Sequence, residues 1–256
     1  MDLKEMPGRA FARHPWELAR ADFFLGLLRK HLAGGGLRAL DIGAGDGYLA
    51  GRLLSEIPAV ARATCFDTGY DDAWLAGRER NAWGLDFTAE RPGGAFDLVL
   101  LLDVLEHADD DVGLLASAVA SATRSGGWLV LSVPAHRVLF SRHDEKLGHK
   151  RRYSPAELRS LATGAGLHIV AHGQLFASLL VPRALAALGE AALGAMDGVA
   201  AEPGHVETPL GSWHHGAMVT RAVRIALAAD AAVCRLAARR RLPLPGLSTW
   251  VLARRR

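Results

Sequence analysis

Two groups of residues have types and spacing that could do chemistry. One is Phe140-Ser141-Arg142-His143-Asp144-Glu145-Lys146-Leu147-Gly148-His149-Lys150-Arg151-Arg152-Tyr153. Imidazole titrates near neutrality, so a histidine here could take the proton of a substrate hydroxyl. His143, with Asp144 beside it, is the first candidate. His149 is the second, and His107, which closes Asp103-Val104-Leu105-Glu106-His107, is the third. Arg151 and Arg152 could bind a phosphate or carboxylate of the substrate, with Asp144 and Tyr153 lining the same site. The competing reading is an internally hydrogen-bonded lid with no base. The other group is Leu40-Asp41-Ile42-Gly43-Ala44-Gly45-Asp46-Gly47. Its alternating glycines carry no Cβ, so a ligand can approach bare backbone. Asp41 in front of them repels a diphosphate but suits a cationic amino-acid end. The spacing also departs from the G-x-G-x-x-G of dinucleotide sites.

Such residues need a scaffold that gathers strand ends. Apolar runs predict strands at Leu37–Ile42, Arg62–Phe66, Leu85–Thr88, Phe96–Leu102, Trp128–Val133, Leu167–Ala171 and Ser248–Ala253. Between them fall helical patterns from Pro15 to about Leu32, Tyr48 to Glu56, Asp71 to Arg80, Asp110 to Arg124 (closed by Ser125-Gly126-Gly127) and from the capping box Ser154-Pro155-Ala156-Glu157 to about Gly164. Alternation at this spacing predicts an α/β fold, a doubly wound, mostly parallel, seven-stranded Rossmann-like sheet. The chain divides into an N-terminal cap helix (1–36), a core (37–175), a helical insert or lid (176–245) and a final core strand (246–256). In the insert, Leu175–Leu193 reads as helix broken by Pro182, Val199–Trp213 as loop, and Met218–Arg240 as helix. Ligands of such sheets lie outside the carboxyl ends of the strands. Here those ends are Asp41 to Gly47, Asp67, Thr88 to Glu90, Asp103 to His107, and Pro134 onward.

This order of elements resembles the class I S-adenosylmethionine (SAM) methyltransferases. Asp41 with Gly43, Gly45 and Gly47 is similar to their motif I. Phe96-Asp97-Leu98-Val99 leading to Leu105-Glu106-His107 resembles the FDLV…LEH element of small-molecule members, including those of ubiquinone and menaquinone biosynthesis. The His143-to-Tyr153 stretch is similar to an HD…GHxRRY signature of a bacterial branch often linked to envelope, glycan or lipid-linked metabolism. His14-Pro15-Trp16-Glu17-Leu18-Ala19-Arg20 resembles that branch's N-terminal aromatic helix. The resemblance implies SAM as cofactor and S-adenosylhomocysteine as product. It places Asp41, Gly43, Gly45 and Gly47 around SAM, Asp67 on the ribose hydroxyls, Thr88 at the adenine edge and Asp103 at the methionyl or acceptor side. His14, Trp16 and Arg20 would help close the pocket. The implied reaction is methylation, most readily at oxygen, of a sugar, lipid-linked or natural-product acceptor. Asp67 and Asp46 could instead be helix caps, and Glu106 and His107 could merely close a turn.

With 256 residues, half of them hydrophobic, the chain can build one sizeable domain. A net charge of +3 does not point to nucleic acid. Cys65 and Cys234 sit in apolar patterns and read as reduced core residues, in keeping with a cytoplasmic protein. No metal is expected. There is no CxxC pair, His168 and His172 fall on and after a strand where their spacing does not converge, and Asp109 to Asp111 suit a helix N-terminus. Asp230 is the single acid against nine arginines between Trp213 and Arg256. The helix near Met218–Arg240 could therefore pack on its own domain or lie on an anionic membrane. Leu179, Leu180, Val181, Leu185 and Leu188 could line a substrate channel or a dimer interface. The alternatives from other classes are a nicotinamide (NAD(P)) oxidoreductase and a SAM-binding accessory protein without turnover.

Overall fold

Phe96–Leu102 (β4) is apolar at nearly every position because it lies mid-sheet, covered on both faces. Its side chains alternate. Leu98, Leu100 and Leu102 face one core, while Val99 and Leu101 face the other. The computed structural model describes residues 13–76, 78, 84–196, 213, 215–242 and 244–256. Among them seven strands form one sheet: β1 (Leu37–Ile42), β2 (Val60–Phe66), β3 (Leu85–Thr88), β4, β5 (Thr123–Pro134), β6 (Leu167–Leu175) and β7 (Ser248–Arg255). The strand order is β3-β2-β1-β4-β5-β7-β6, and only β7 runs antiparallel to its neighbours. The order reverses between β1 and β4, which puts the ligand crevice of a doubly wound sheet at their carboxyl ends.

Helices α1 (Pro15–Leu28), α2 (Tyr48–Glu56) and α8 (Ala217–Arg239) cover one face. There Phe23, Phe24, Leu28 and Leu53 pack with Trp250 and Leu252. The short α4 (Asp111–Ser117) and α6 (Pro155–Gly164) cover the other, with Leu115 and Leu158 against Val251 and Ala253. Each fully buried Phe or Leu removes enough apolar surface from water to contribute roughly 1.5–3 kcal/mol before entropy is counted. Two short helices, α3 (Asp72–Ala76) and α5 (Arg142–Lys146), follow the carboxyl ends of β2 and β5.

Several boundaries differ from the sequence reading, β6 among them, which runs to Leu175 rather than Ala171. Helix α1 stops at Leu28 rather than Leu32. The helix expected to reach Arg124 ends in a wide turn at Ala118–Ala122, and β5 already begins at Thr123. Ser125-Gly126-Gly127 thus lies inside β5, where the pairing register with β4 shifts between Phe96 and Leu98. Pro182 does not break a helix, because α7 (Leu180–Met196) starts only two residues before it. A first-turn N–H has no helical acceptor, so proline costs little there. The predicted loop over Val199–Trp213 lies almost wholly outside the described residues, as does the end of the helix predicted to reach Arg80.

Helix α8 buries Leu227, Ala231, Cys234 and Ala237 on one side and leaves Val219, Ile225, Val233 and Leu236 exposed on the other. Among the described residues no helix is long and apolar enough to cross a membrane. Cys65 and Cys234 are both buried and free.

Candidate active site

The turn after β1 is held in left-handed backbone, with φ of 69° at Gly43 and 75° at Gly47. A Cβ at Gly43 would come within 2.6 Å of a Val104 methyl, and one at Gly47 within 2.6 Å of the Phe87 ring. Glycine is therefore required by both torsion and space. Asp67, at the end of β2, accepts from the backbone N–H of Gly45 (3.0 Å) and of Gly69 (2.9 Å). It is not a helix cap, since Asp71 accepts from Trp74 N at the start of α3. Asp46 accepts from Tyr48 N at the start of α2 and pairs with Arg13. Asp41 is buried beneath the turn. Burial pushes its carboxyl up to about 7 against the positive charge of Arg20, with Asp67 and Asp46 adding to the rise.

The sequence did not single out Tyr70, whose hydroxyl donates to Gly45 O at 2.6 Å and whose ring stacks on Trp74 at 3.9 Å. Thr88 ends β3, as expected. Its hydroxyl is closed into its own turn, donating to Glu90 O and accepting from Glu90 N, both at 3.0 Å.

The N-terminal helix does reach the crevice. Arg20 forms an ion pair with Asp103 at 2.8 Å, and its guanidinium lies 5.3 Å from the Trp16 ring. Asp103 ends β4 in left-handed backbone (φ 58°), which turns the chain toward α1. Trp16 packs against Phe176, where β6 leaves the sheet for the insert. Arg13 joins them from the other side, over the Tyr48 ring at 3.8 Å. His14, expected in the pocket, is spent on capping. Its Nδ1 accepts from Trp16 N at 3.1 Å, and its ring meets Trp213 edge-on.

The loop after β5 is built around Asp144, which is fully buried. Its carboxylate takes Arg152 (2.8 Å), Arg183 from α7 (3.0 Å), His149 Nδ1 (3.0 Å) and Ser141 N (3.1 Å). Burial alone would raise the Asp144 carboxyl, but the bonds from His149 and Arg152 and the charge of Arg152 pull it well below the usual range. The expected pair of His143 with Asp144 is thus replaced by His149 with Asp144. Consecutive residues on a helix point in different directions, and His143 lies near Arg183 and Glu190. Burial and then the Arg183 charge lower its pKa.

The arginines are likewise committed. Arg151 donates to the carbonyls of Ala108 and Asp109 (3.0 Å each) and pairs with Asp111 (3.0 Å). Arg152 also reaches Ala135 O (3.1 Å). Tyr153 donates to Asp111 (2.7 Å) and Leu105 O (3.2 Å). Asp144, Arg151, Arg152 and Tyr153 therefore hold the loop against the end of β4 rather than offering free groups to a substrate.

What the loop delivers is a corner. Lys150 N donates to Glu106 O at 2.7 Å, which sets His149 beside the turn Leu105–His107. The rings of His107 and His149 meet edge-on at 4.8 Å. One ligand atom each of Glu106, His107 and His149 lies within 4.8 Å of the others. Glu106 is fully buried, and neither carboxylate oxygen has a hydrogen-bond partner among the described residues. Burial, then the nearby Asp103 charge, pushes its carboxyl well above the ordinary range. From the sequence, Glu106 is part of the LEH element and its loop, with no role of its own.

Comparison with known proteins agrees with this architecture. The model of the family described as "Methyltransferase domain" matches residues 11–172, and the chain belongs to that family. It is a SAM-dependent methyltransferase, with SAM as its cofactor. It is similar to the ubiquinone biosynthesis O-methyltransferase of Burkholderia ambifaria, 29% identical over 172 residues covering 57% of this chain and 71% of that one. Its fold is similar to that of the Haemonchus contortus phosphoethanolamine N-methyltransferase 2 in complex with SAM (TM-score 0.53, 16% identity, 91% of this chain and 52% of that one). It is also similar to coclaurine N-methyltransferase bound to N-methylheliamine and SAH (TM-score 0.53, 15% identity, 92% and 70%). At such identities the structures speak for the fold alone.

Proposed function

We propose that this methyltransferase moves the SAM methyl group to a hydroxyl oxygen of a small acceptor, seated between the end of β4 and the loop after β5. The Asp144–His149 pair beside Glu106 and His107 carries the reading. An ionised carboxylate only accepts, so His149 Nδ1 donates to it. That leaves Nε2 as the basic nitrogen turned away from Asp144. Transfer from a sulfonium is an in-line displacement that needs alignment and a free lone pair on the acceptor. The acceptor's O–H bond must break, and this corner is where the proton leaves. The name of the Burkholderia ambifaria relative also points to oxygen.

On the cofactor side, Asp41 faces the SAM ammonium, the backbone around Gly43, Gly45 and Gly47 lies along the nucleoside, and Asp67 accepts the ribose hydroxyls. Asp103, Arg20 and Trp16 close the crevice from α1. Asp67 now holds Gly45 N and Gly69 N, so ribose binding exchanges or shares those bonds.

The test separates the two histidines that compete for the proton. With a catechol or other vicinal diol as acceptor, His149→Ala is expected to lower kcat by about 10²-fold or more, with SAM affinity unchanged. His143→Ala should keep near-normal turnover. Normal turnover in His149→Ala would remove the corner from the reaction.

A further inference from the structure

We infer that Glu106, His107 and His149 form a binding site for one divalent transition-metal cation, with Zn²⁺ the best match to the donor set. This deepens the proposed O-methylation, rests on that reading for its role, and departs from the sequence expectation of no metal.

Three features converge. The first is the donor set itself, one carboxylate and two imidazoles. This combination suits Zn²⁺ and other first-row divalent ions and leaves coordination positions open. The second is Glu106. A carboxylate with no exposed surface and no hydrogen-bond partner on either oxygen is costly in a folded protein. A cation at the mouth of its pocket would answer both oxygens. The third is Asp144. Metal-bound histidines commonly give their other ring N–H to a carboxylate, which fixes the tautomer and turns the free nitrogen toward the ion. His149 has that partner at 3.0 Å, and Asp144 is itself locked by Arg152 and Arg183.

The geometry is near-formed. Donors around one ion, about 2.0–2.2 Å from it, stand about 3.3–3.6 Å apart. Here the donor atoms lie within 4.8 Å of one another, so a small imidazole rotation closes the site. His107 and His149 are only partly buried, so an ion can enter from the crevice. The open positions face the place proposed for the acceptor. A hydroxyl bound there would be more acidic for the cation's charge and held in line with the sulfonium. In that state His149 acts as a ligand and not as the base. The O–H proton passes to solvent, the new C–O bond forms and the S–C bond breaks, so the charges balance without any further reactant.

The direct experiment titrates Zn²⁺ into the chelator-treated full-length protein by calorimetry, with Co²⁺ absorption as a second readout. One equivalent should bind, and bound Co²⁺ should show the visible bands of a low-coordinate nitrogen–oxygen site. Glu106→Gln and His149→Ala should each weaken binding about 100-fold while SAM binding persists. Glu106→Gln should also leave the metal-free protein at least as heat-stable as the parent, since the amide keeps the carboxyl's size and carries no charge into the buried pocket.

No binding, or equal affinity in both variants, overturns the site. So does a marked loss of metal-free stability in Glu106→Gln, which would make the carboxylate structural. Tight Zn²⁺ binding without methyl transfer to any hydroxyl acceptor would keep the site and defeat the O-methylation reading. Full turnover after chelation would keep the O-methylation reading and overturn the role inferred for the metal in it.

Discussion

The two sides of the crevice are made differently. The β1 turn is a backbone construction, and its few side-chain contacts, Asp67 with Gly45 and Tyr70 with Gly45, brace the main chain. The loop after β5 is a side-chain construction, with one buried carboxylate holding two arginines and a histidine. Backbone geometry is set by a few adjacent residues and tolerates variety around them. A buried charge network depends on every member, because losing one leaves the others unpaired. The cofactor side should therefore respond to substitution by losing affinity, and the acceptor side by losing structure.

The largest expected effect tests the second half of that contrast. Asp144→Ala strands Arg152, which is only 5% exposed, and should cost ~3–5 kcal/mol in urea unfolding, with a matching fall in Tm. A change under 1 kcal/mol would mean the network is ornamental. Gly47→Ala should act on the other side. A non-glycine residue in left-handed backbone costs about 1–2 kcal/mol, and here the added methyl also presses on Phe87. SAM affinity should drop about tenfold while circular dichroism stays near that of the parent. Unchanged affinity would show that the turn adapts.

The smallest effect is a pH profile. With Asp41 facing the SAM ammonium as proposed, its ionised form binds better, so affinity should be flat above pH 7. Below that it should fall, toward a limit of about tenfold per unit, and Asp41→Asn should abolish the slope. The cofactor-free protein should behave in the opposite sense. A carboxyl raised from 3.8 to about 7 keeps its proton in the folded state. The resulting stability is full below pH 4 and is lost as pH rises through 7. A slope that survives in Asp41→Asn would assign the effect to another group.

The same contrast governs what could be read from the sequence. The strands, the glycine turn and Asp67 are local patterns of period two or of alternate glycines; all seven strands form, with β5 starting earlier and β6 ending later than expected. The loop after β5 rests on contacts such as Arg183 with Asp144, 39 residues apart, and Tyr153 with Asp111, 42 apart. No spacing rule announces these. His143 looked attractive because Asp144 follows it, but helical geometry sends the two side chains apart and gives the carboxylate to His149. Arg151 and Arg152 looked like anion binders because a charged residue is read as exposed until its partners are known. Thr88 was placed correctly at the end of β3, yet its hydroxyl was already committed to Glu90. Glu106 was visible only as part of the LEH element. What sets it apart is the absence of any partner for its oxygens, which appears only once the surrounding residues are in place.

Strand β7 has a consequence for biogenesis. It lies downstream of the whole helical insert, yet it is wedged between β5 and β6. Until Ser248–Arg255 is synthesised, β6 has no neighbour to zip against and β5 presents a raw border. A nascent chain paused within the insert would thus offer two sticky margins to chaperones. Vectorial synthesis cannot finish this sheet, which closes only when a strand made late is threaded between two made early.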